Sequence, residues 1–210
     1  MYFKRLLAGL IILVVISLLL PACIATNTPR FTCLKGWVSF GTPVTGASLS
    51  IYNTSGKLLF RTEEPVTSKY GSFIISVTGK LPSDFRVVCT PSADDKVLSG
   101  IELLADVENF NPHVDEIHIN IVTTIAGRYL DRYEDKKLHE AEESVRYFLE
   151  IPEYIDIGSG LSGNEEYFSH RTFLIEASQN GGIETFIDQL VGEMGEPGET
   201  THPFPKQAGT

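Results

Sequence analysis

The sequence predicts an α+β protein: an antiparallel β-sandwich over residues 31–122, followed by a small C-terminal α-helical subdomain over residues 123–194. Three observations carry that prediction. Apolar residues alternate with polar ones, with turn residues between, as far as residue 122, which is the two-residue period of a half-buried strand. From Thr123 onward the apolar residues recur every three to four positions, the period of an amphipathic helix. Charge divides at nearly the same place. Residues 30–108 hold eight basic and eight acidic side chains, whereas residues 109–210 hold seven basic and nineteen acidic ones, a balance of −12.

The strands follow in order. Residues 31–40, FTCLKGWVSF, form the first. ASLSIY (47–52) puts Ala47, Leu49 and Ile51 on one face, and KLLFRT (57–62) follows after Asn53-Thr54-Ser55-Gly56, a hairpin turn. SFIISV (72–77) puts Phe73, Ile75 and Val77 on one face. DFRVVCT (84–90), a stretch near 98–107 and DEIHINIV (115–122) complete the set. Short strands at this spacing are the pattern of an antiparallel sandwich.

The helices come next. Ile125, Tyr129 and Tyr133 stand four apart in 123–134, with Thr123 or Thr124 as the capping hydroxyl. Leu138, Ala141, Val145, Phe148 and Leu149 line one face of 137–150. Residues 166–178 show a less regular pattern, and Gly181-Gly182 separates them from 183–194. That last segment carries Ile183, Phe186, Ile187, Leu190, Val191 and Met194 on one stripe. The acidic helices read as a solvated surface rather than a docking face. Residues 195–210 have little to bury and are expected to form a flexible tail.

Composition narrows the function. The 210 residues are 42% hydrophobic and 21% charged, an ordinary globular mix, with a net charge of −10. A chain this acidic repels phosphate backbones, so no nucleic-acid partner is expected. A mean hydropathy of +0.02 leaves no room for a multi-span transporter.

The start of the chain reads as an address. Lys4 and Arg5 precede LLAGLIILVVISLLL (6–20), fifteen residues without a charge. A basic start, an apolar run and a small residue at the break form a signal peptide over residues 1–22. As a helix the run would reach about 22 Å, short of the ~30 Å hydrocarbon core, though extension through residue 25 would span it as an uncleaved anchor. Leu19-Leu20-Pro21-Ala22-Cys23 resembles a bacterial lipobox, with Leu20, Ala22 and Cys23 in place and Pro21 a departure. The resemblance implies lipidation at Cys23, a linker over residues 23–30 and a membrane partner reached through the lipid anchor. Each acyl methylene buried adds ~0.8 kcal/mol, so two or three chains hold firmly. The expected location is the cell membrane or outer membrane, facing the extracytoplasmic space.

An exported chain meets oxidising conditions, so Cys33 and Cys89 are expected to form a disulfide, with two buried free thiols as the alternative. The bond would close a loop of about 57 residues, worth about 4 kcal/mol by chain entropy.

Leu34-Lys35-Gly36-Trp37-Val38, then Gly41-Thr42-Pro43-Val44-Thr45-Gly46-Ala47-Ser48-Leu49, then Gly56 and Tyr70-Gly71-Ser72-Phe73 stand in order. Together they resemble a carboxypeptidase regulatory-like domain, a transthyretin-like β-sandwich, over roughly residues 33–90. Asn120-Ile121-Val122-Thr123-Thr124-Ile125-Ala126 resembles the N-P-x-T-T-L-A junction that follows such sandwiches in some bacterial surface proteins and lipoproteins, with Ile121 replacing the proline. The resemblance implies an accessory role without peptidase activity, because the regulatory-like domain lacks the zinc site.

Chemistry is sparse. His113-x-x-Glu116 and His139-x-x-Glu142 have the short zinc spacing, the basis for an alternative reading as a small metal-dependent hydrolase. Neither comes with a third ligand in sequence, so no metal, no cofactor and no catalytic residue is assigned. Ser159-Gly160-Leu161-Ser162-Gly163 lacks the strand-turn-helix setting of a nucleophile elbow. Trp37, Tyr52, Phe60 and Tyr70 either pack in the core or line a platform for sugar or peptide. The expected function is a membrane-anchored, non-catalytic binding or scaffolding module with an envelope protein or glycan as partner. A carbohydrate- or peptide-binding module of the cell envelope is the alternative.

Overall fold

A computed structural model of the chain describes residues 31–95, 98, 100–149, 151–152 and 182–195. The leader, Cys23, the expected helix over 166–178, the 159–163 glycine-serine segment and the tail beyond residue 195 lie outside the described residues.

The described residues form an α+β fold of two mostly antiparallel sheets and three helices. The strands are β1 (Phe31–Phe40), β2 (Thr42–Pro43), β3 (Ser48–Asn53), β4 (Leu58–Arg61), β5 (Ser72–Thr78), β6 (Phe85–Thr90), β7 (Leu103–Val107) and β8 (Ile117–Ile119). The helices are α1 (Ile121–Arg132), α2 (Leu138–Phe148) and α3 (Ile183–Met194).

β1 is the spine of the first sheet. β5 pairs with it antiparallel over its length, from Phe31 opposite Thr78 to Trp37 opposite Ser72. β8 pairs with it parallel, Trp37 opposite His118, and β2 folds back on its end. The second sheet runs β4-β3-β6-β7, all antiparallel. The inward rows join in one buried core: Leu34 and Val38, Phe73, Ile75 and Val77 from the first sheet, and Leu49, Ile51, Phe85, Val87, Leu103 and Ala105 from the second.

Two glycines meet specific demands. At Gly56 φ is +76° in the 53–56 turn, where the Asn53 side-chain oxygen accepts from the Ser55 and Lys57 amides. At Gly36 the β8 backbone comes so close that any Cβ would collide with the Ile117 carbonyl. That absence of a side chain lets β8 lie against β1.

The helical half differs from expectation at its start. The strand expected over 115–122 stops at Ile119, and α1 begins two residues later. Its cap is Asn120, whose side-chain oxygen accepts from the Val122 and Thr123 amides, rather than Thr123 or Thr124. The Thr123 hydroxyl instead accepts from the Asn120 amide, which closes a capping box. The two threonines also bind β7: the Leu104 amide donates to Thr124 Oγ1 at 3.0 Å, and Thr123 Oγ1 donates to the Leu104 carbonyl at 2.9 Å. The residues expected on the buried stripes of the second and last helices are largely there. Ala141, Val145 and Phe148 are buried in α2, and Ile183, Ile187, Leu190, Val191 and Met194 in α3. Among the described residues, no helix is long and apolar enough to cross a membrane.

The expected Cys33–Cys89 disulfide is absent: both are free thiols. Strand parity is the reason. Cys33 lies on the outer face of β1 with Lys35 and Trp37, while Cys89 lies on the inner face of β6, fully buried in the core. The alternative of two buried thiols fails as well, because Cys33 is exposed.

Candidate functional site

The outer faces of the two sheets are treated differently, and that difference defines the candidate site. The second sheet's outer face is largely occupied. α1 packs on β7, with Gly127 set against Leu104 so closely that a Cβ would enter its side chain. Beside this contact, Arg86 projects outward from β6. Its Nε and one terminal nitrogen donate to the two Asp106 carboxylate oxygens at 2.8 and 2.7 Å. The other terminal nitrogen donates to Asp131 on α1 at 2.6 and 2.9 Å, and the Gly127 carbonyl accepts at 3.3 Å from the terminal nitrogen that also serves Asp106. Burial opposes the Arg86 charge, but hydrogen bonds and attraction from Asp106, then Asp131, outweigh it and raise its pKa above the ordinary arginine value. The guanidinium is saturated, so it is a clasp between helix and sheet rather than an anion receptor.

A groove of about 760 Å³ lies along this clasp, with Tyr52, Asp84, Glu102, Glu108, Glu134 and Lys136 among its walls. A second, shallower one of about 520 Å³ lies between β7, β8 and α2, with Glu142 and His118 among its walls. Among the described residues, no three His, Cys, Asp or Glu side chains converge in a way that would hold a metal ion. His113 stands exposed in a loop, and Glu116 of its pair is taken up by Lys35 at 2.8 Å. His139 is exposed on α2, where Glu140 caps the helix by accepting from the Lys137 amide.

The first sheet's outer face is open. It carries Phe31, Cys33, Lys35 and Trp37 from β1, Ile74 and Ser76 from β5, and His118 from β8. Trp37 is 38% exposed and stacks on His118 with ring centroids 5.3 Å apart and planes 17° from parallel. Tyr70, 68% exposed, precedes β5 and takes the Lys69 ammonium over its ring at 4.9 Å. The Lys35–Glu116 pair supplies both charges on the same face. Of the four aromatic residues singled out in sequence, Trp37 is exposed on this face and Tyr70 in the turn before β5, whereas Tyr52 is half-buried on the other sheet and Phe60 packs against the core.

Sequence reasoning missed the Arg86 clasp and the Trp37–His118 stack. A basic residue between Phe85 and Val87 was the available signal for the first. The second depends on a parallel pairing of β1 with β8 across eighty residues, which no local pattern announces.

No protein-family model matches the chain, and no curated protein is similar to it.

Proposed function

We propose that this chain is a non-catalytic, membrane-anchored extracytoplasmic lipoprotein that works as a binding or scaffolding module. In this reading a transthyretin-like β-sandwich of the carboxypeptidase regulatory-like kind carries a small acidic helical unit, and Cys23 carries the lipid. The observation that supports it most is the inequality of the two sheet faces. One is clasped under α1, while the other leaves Trp37 and Ile74 in solvent beside a mixed-charge pair, with Tyr70 exposed in the turn before β5. Exposed apolar side chains grouped on one face mark an interaction surface more often than scattered ones do. The basic-apolar leader ending in Pro21-Ala22-Cys23 supports the anchor.

The exposure of both Trp37 and Tyr70 favours a second reading, in which the same face binds a carbohydrate or peptide of the cell envelope. Indole and phenol rings offer flat apolar area with little conformational entropy to lose.

Intact-mass analysis of the membrane fraction tests the anchor. The expected product lacks residues 1–22, leaving 188 of the 210, with acyl mass on Cys23. A mature N-terminus at Met1 overturns it. For the second reading, titration with envelope oligosaccharides should quench the single tryptophan, Trp37. Unchanged fluorescence and no heat of binding at millimolar ligand would remove the sugar.

A further inference from the structure

Every sheet edge carries unpaired backbone groups, and proteins normally shield them. Here the shielding is uneven. β4 is four residues long, its register shifts beside Tyr52, and Lys57 and Arg61 bracket it. β7 is closed at Leu104 by the two threonine hydroxyls of α1. β8 is three residues long. β5 has none of these protections beyond its first residue, where the Ser72 carbonyl accepts from the Ser68 amide at 2.8 Å. It runs seven residues, SFIISVT, with no charge, no proline and no register shift against β1.

Which backbone groups face outward follows from the ladder. The Val38 amide donates to the Gly71 carbonyl at 2.8 Å, one residue beyond the β1–β5 ladder and in its register, which puts Val38 and Gly71 at a hydrogen-bonding position of the pairing. Such positions alternate, which turns the amides and carbonyls of Phe73, Ile75 and Val77 toward β1. Those of Ile74, Ser76 and Thr78 face away, where no strand among the described residues pairs with β5. Ile74 is also 75% exposed on the outer face, an apolar side chain left uncovered at mid-strand.

We propose that the open edge of β5 pairs antiparallel with β5 of a second copy of this chain, joining the two first sheets into one continuous sheet. The register of full overlap centres on Ile75. It puts Ile74 of each copy opposite Ser76 of the other, with outward backbone groups facing each other at both positions. Ile74 is then covered by its neighbours across the seam. Nothing within 72–78 is charged, so the pairing opposes no like charges over its length. The charge of the whole chain points the same way. The acid is concentrated in residues 109–210, whereas the strand-bearing residues 30–108 are balanced. Among the described residues, β5 lies across β1 from β8 and from α1, which packs beside it, so two copies meet away from the acid that the described helices carry. Lys69 and Lys80 stand just beyond the strand ends and confine the pairing to this one segment. The contact is isologous and closes at two copies. It stands apart from the lipid anchor, and a chain without acyl mass would still pair.

The test uses the full chain in detergent micelles. The expected sedimenting protein mass is that of two chains at micromolar concentration. Ser76→Pro deletes an outward amide and leaves the hydrogen bonds to β1 intact, because edge positions tolerate proline. It should weaken association at least about tenfold, while Ser76→Thr should not. Cys33 offers an independent readout. With strands ~4.8 Å apart and ~3.4 Å of rise per residue, the two Cys33 sulfurs come within roughly 16 Å across the seam. A bismaleimide of that span should give a dimer that Cys33→Ser removes. Should Ser76→Pro fail to fold, hydrogen exchange of the unmodified chain decides: the Ile74 and Ser76 amides gain protection as concentration rises. A single-chain mass at every concentration overturns the proposal. So does a dimer in which those two amides stay unprotected, or one that Ser76→Pro leaves unchanged in a folded chain.

Discussion

Arg86→Met should cost about 3 kcal/mol of stability, and the structure shows where that figure comes from. The arginine joins a sheet carboxylate that is 18% exposed, Asp106, to a helix carboxylate that is 45% exposed, Asp131. Methionine keeps much of the aliphatic volume and removes the charge. Asp131 can turn to water, so its pair is worth only about 0–1 kcal/mol. Asp106 cannot do so fully, and leaving it beside Leu104 and Gly127 without its bidentate partner costs about 1.5–3 kcal/mol. In a chain of this length the total lowers the midpoint of thermal unfolding by roughly 6–12 °C. Circular dichroism melts provide the assay, with Asp131→Asn and the double variant Arg86→Met/Asp106→Leu alongside. Asp131→Asn should lose less than about 1 kcal/mol. The double variant should lose less than Arg86→Met alone, because no stranded carboxylate remains. If Arg86→Met costs under about 1 kcal/mol, or Asp131→Asn costs as much as it does, the reasoning fails.

The two thiols should separate cleanly. Cys33 reacts with a water-soluble thiol reagent in the native protein, whereas Cys89 reacts only on unfolding. Burial pushes the Cys89 thiol up to about 12 from its ordinary value near 9. Above pH 9 the unfolded chain releases that proton while the native core retains it, so Cys89 lowers stability progressively from pH 9 toward 12. Cys89→Ala should flatten that decline in urea melts taken across the range, and an unchanged decline would discount the thiol as its source. Asn120→Ala should cost about 1–2 kcal/mol in urea unfolding, since two buried amides at the start of α1 lose their acceptor. Asn120→Asp, which keeps the acceptor, should lose less.

Much of the strand half was legible because local pattern and burial agree there. Ala47, Leu49 and Ile51, and likewise Phe73, Ile75 and Val77, alternate inward as their spacing requires. The last helix was legible because its apolar stripe is continuous from Ile183 to Met194. Reading failed where an interaction spans distant segments. DEIHINIV looks like one long strand, yet the Asn120 side chain and the threonine bonds to Leu104 turn the chain into a helix partway along it. Threonine is at once a strand former and a polar anchor, and only the position of β7 decides between the two. The cysteine pairing went wrong because even number and export argue for a bond, while strand parity, already visible in Leu34 and Val38, argues against it. The open face followed partly from the sequence: the aromatic residues were named, but which of them share a surface depended on how β1 selects its neighbours.

β1 has one more consequence, a mechanical one. The described residues begin at Phe31, the first residue of the strand with ladders on both flanks, to β5 and to β8. A pull from that side therefore meets the β5 ladder at Phe31 and reaches the shorter β8 ladder only at Gly36. In a molecule fastened by its front end, the order in which those two ladders give way is set by where β8 sits along β1.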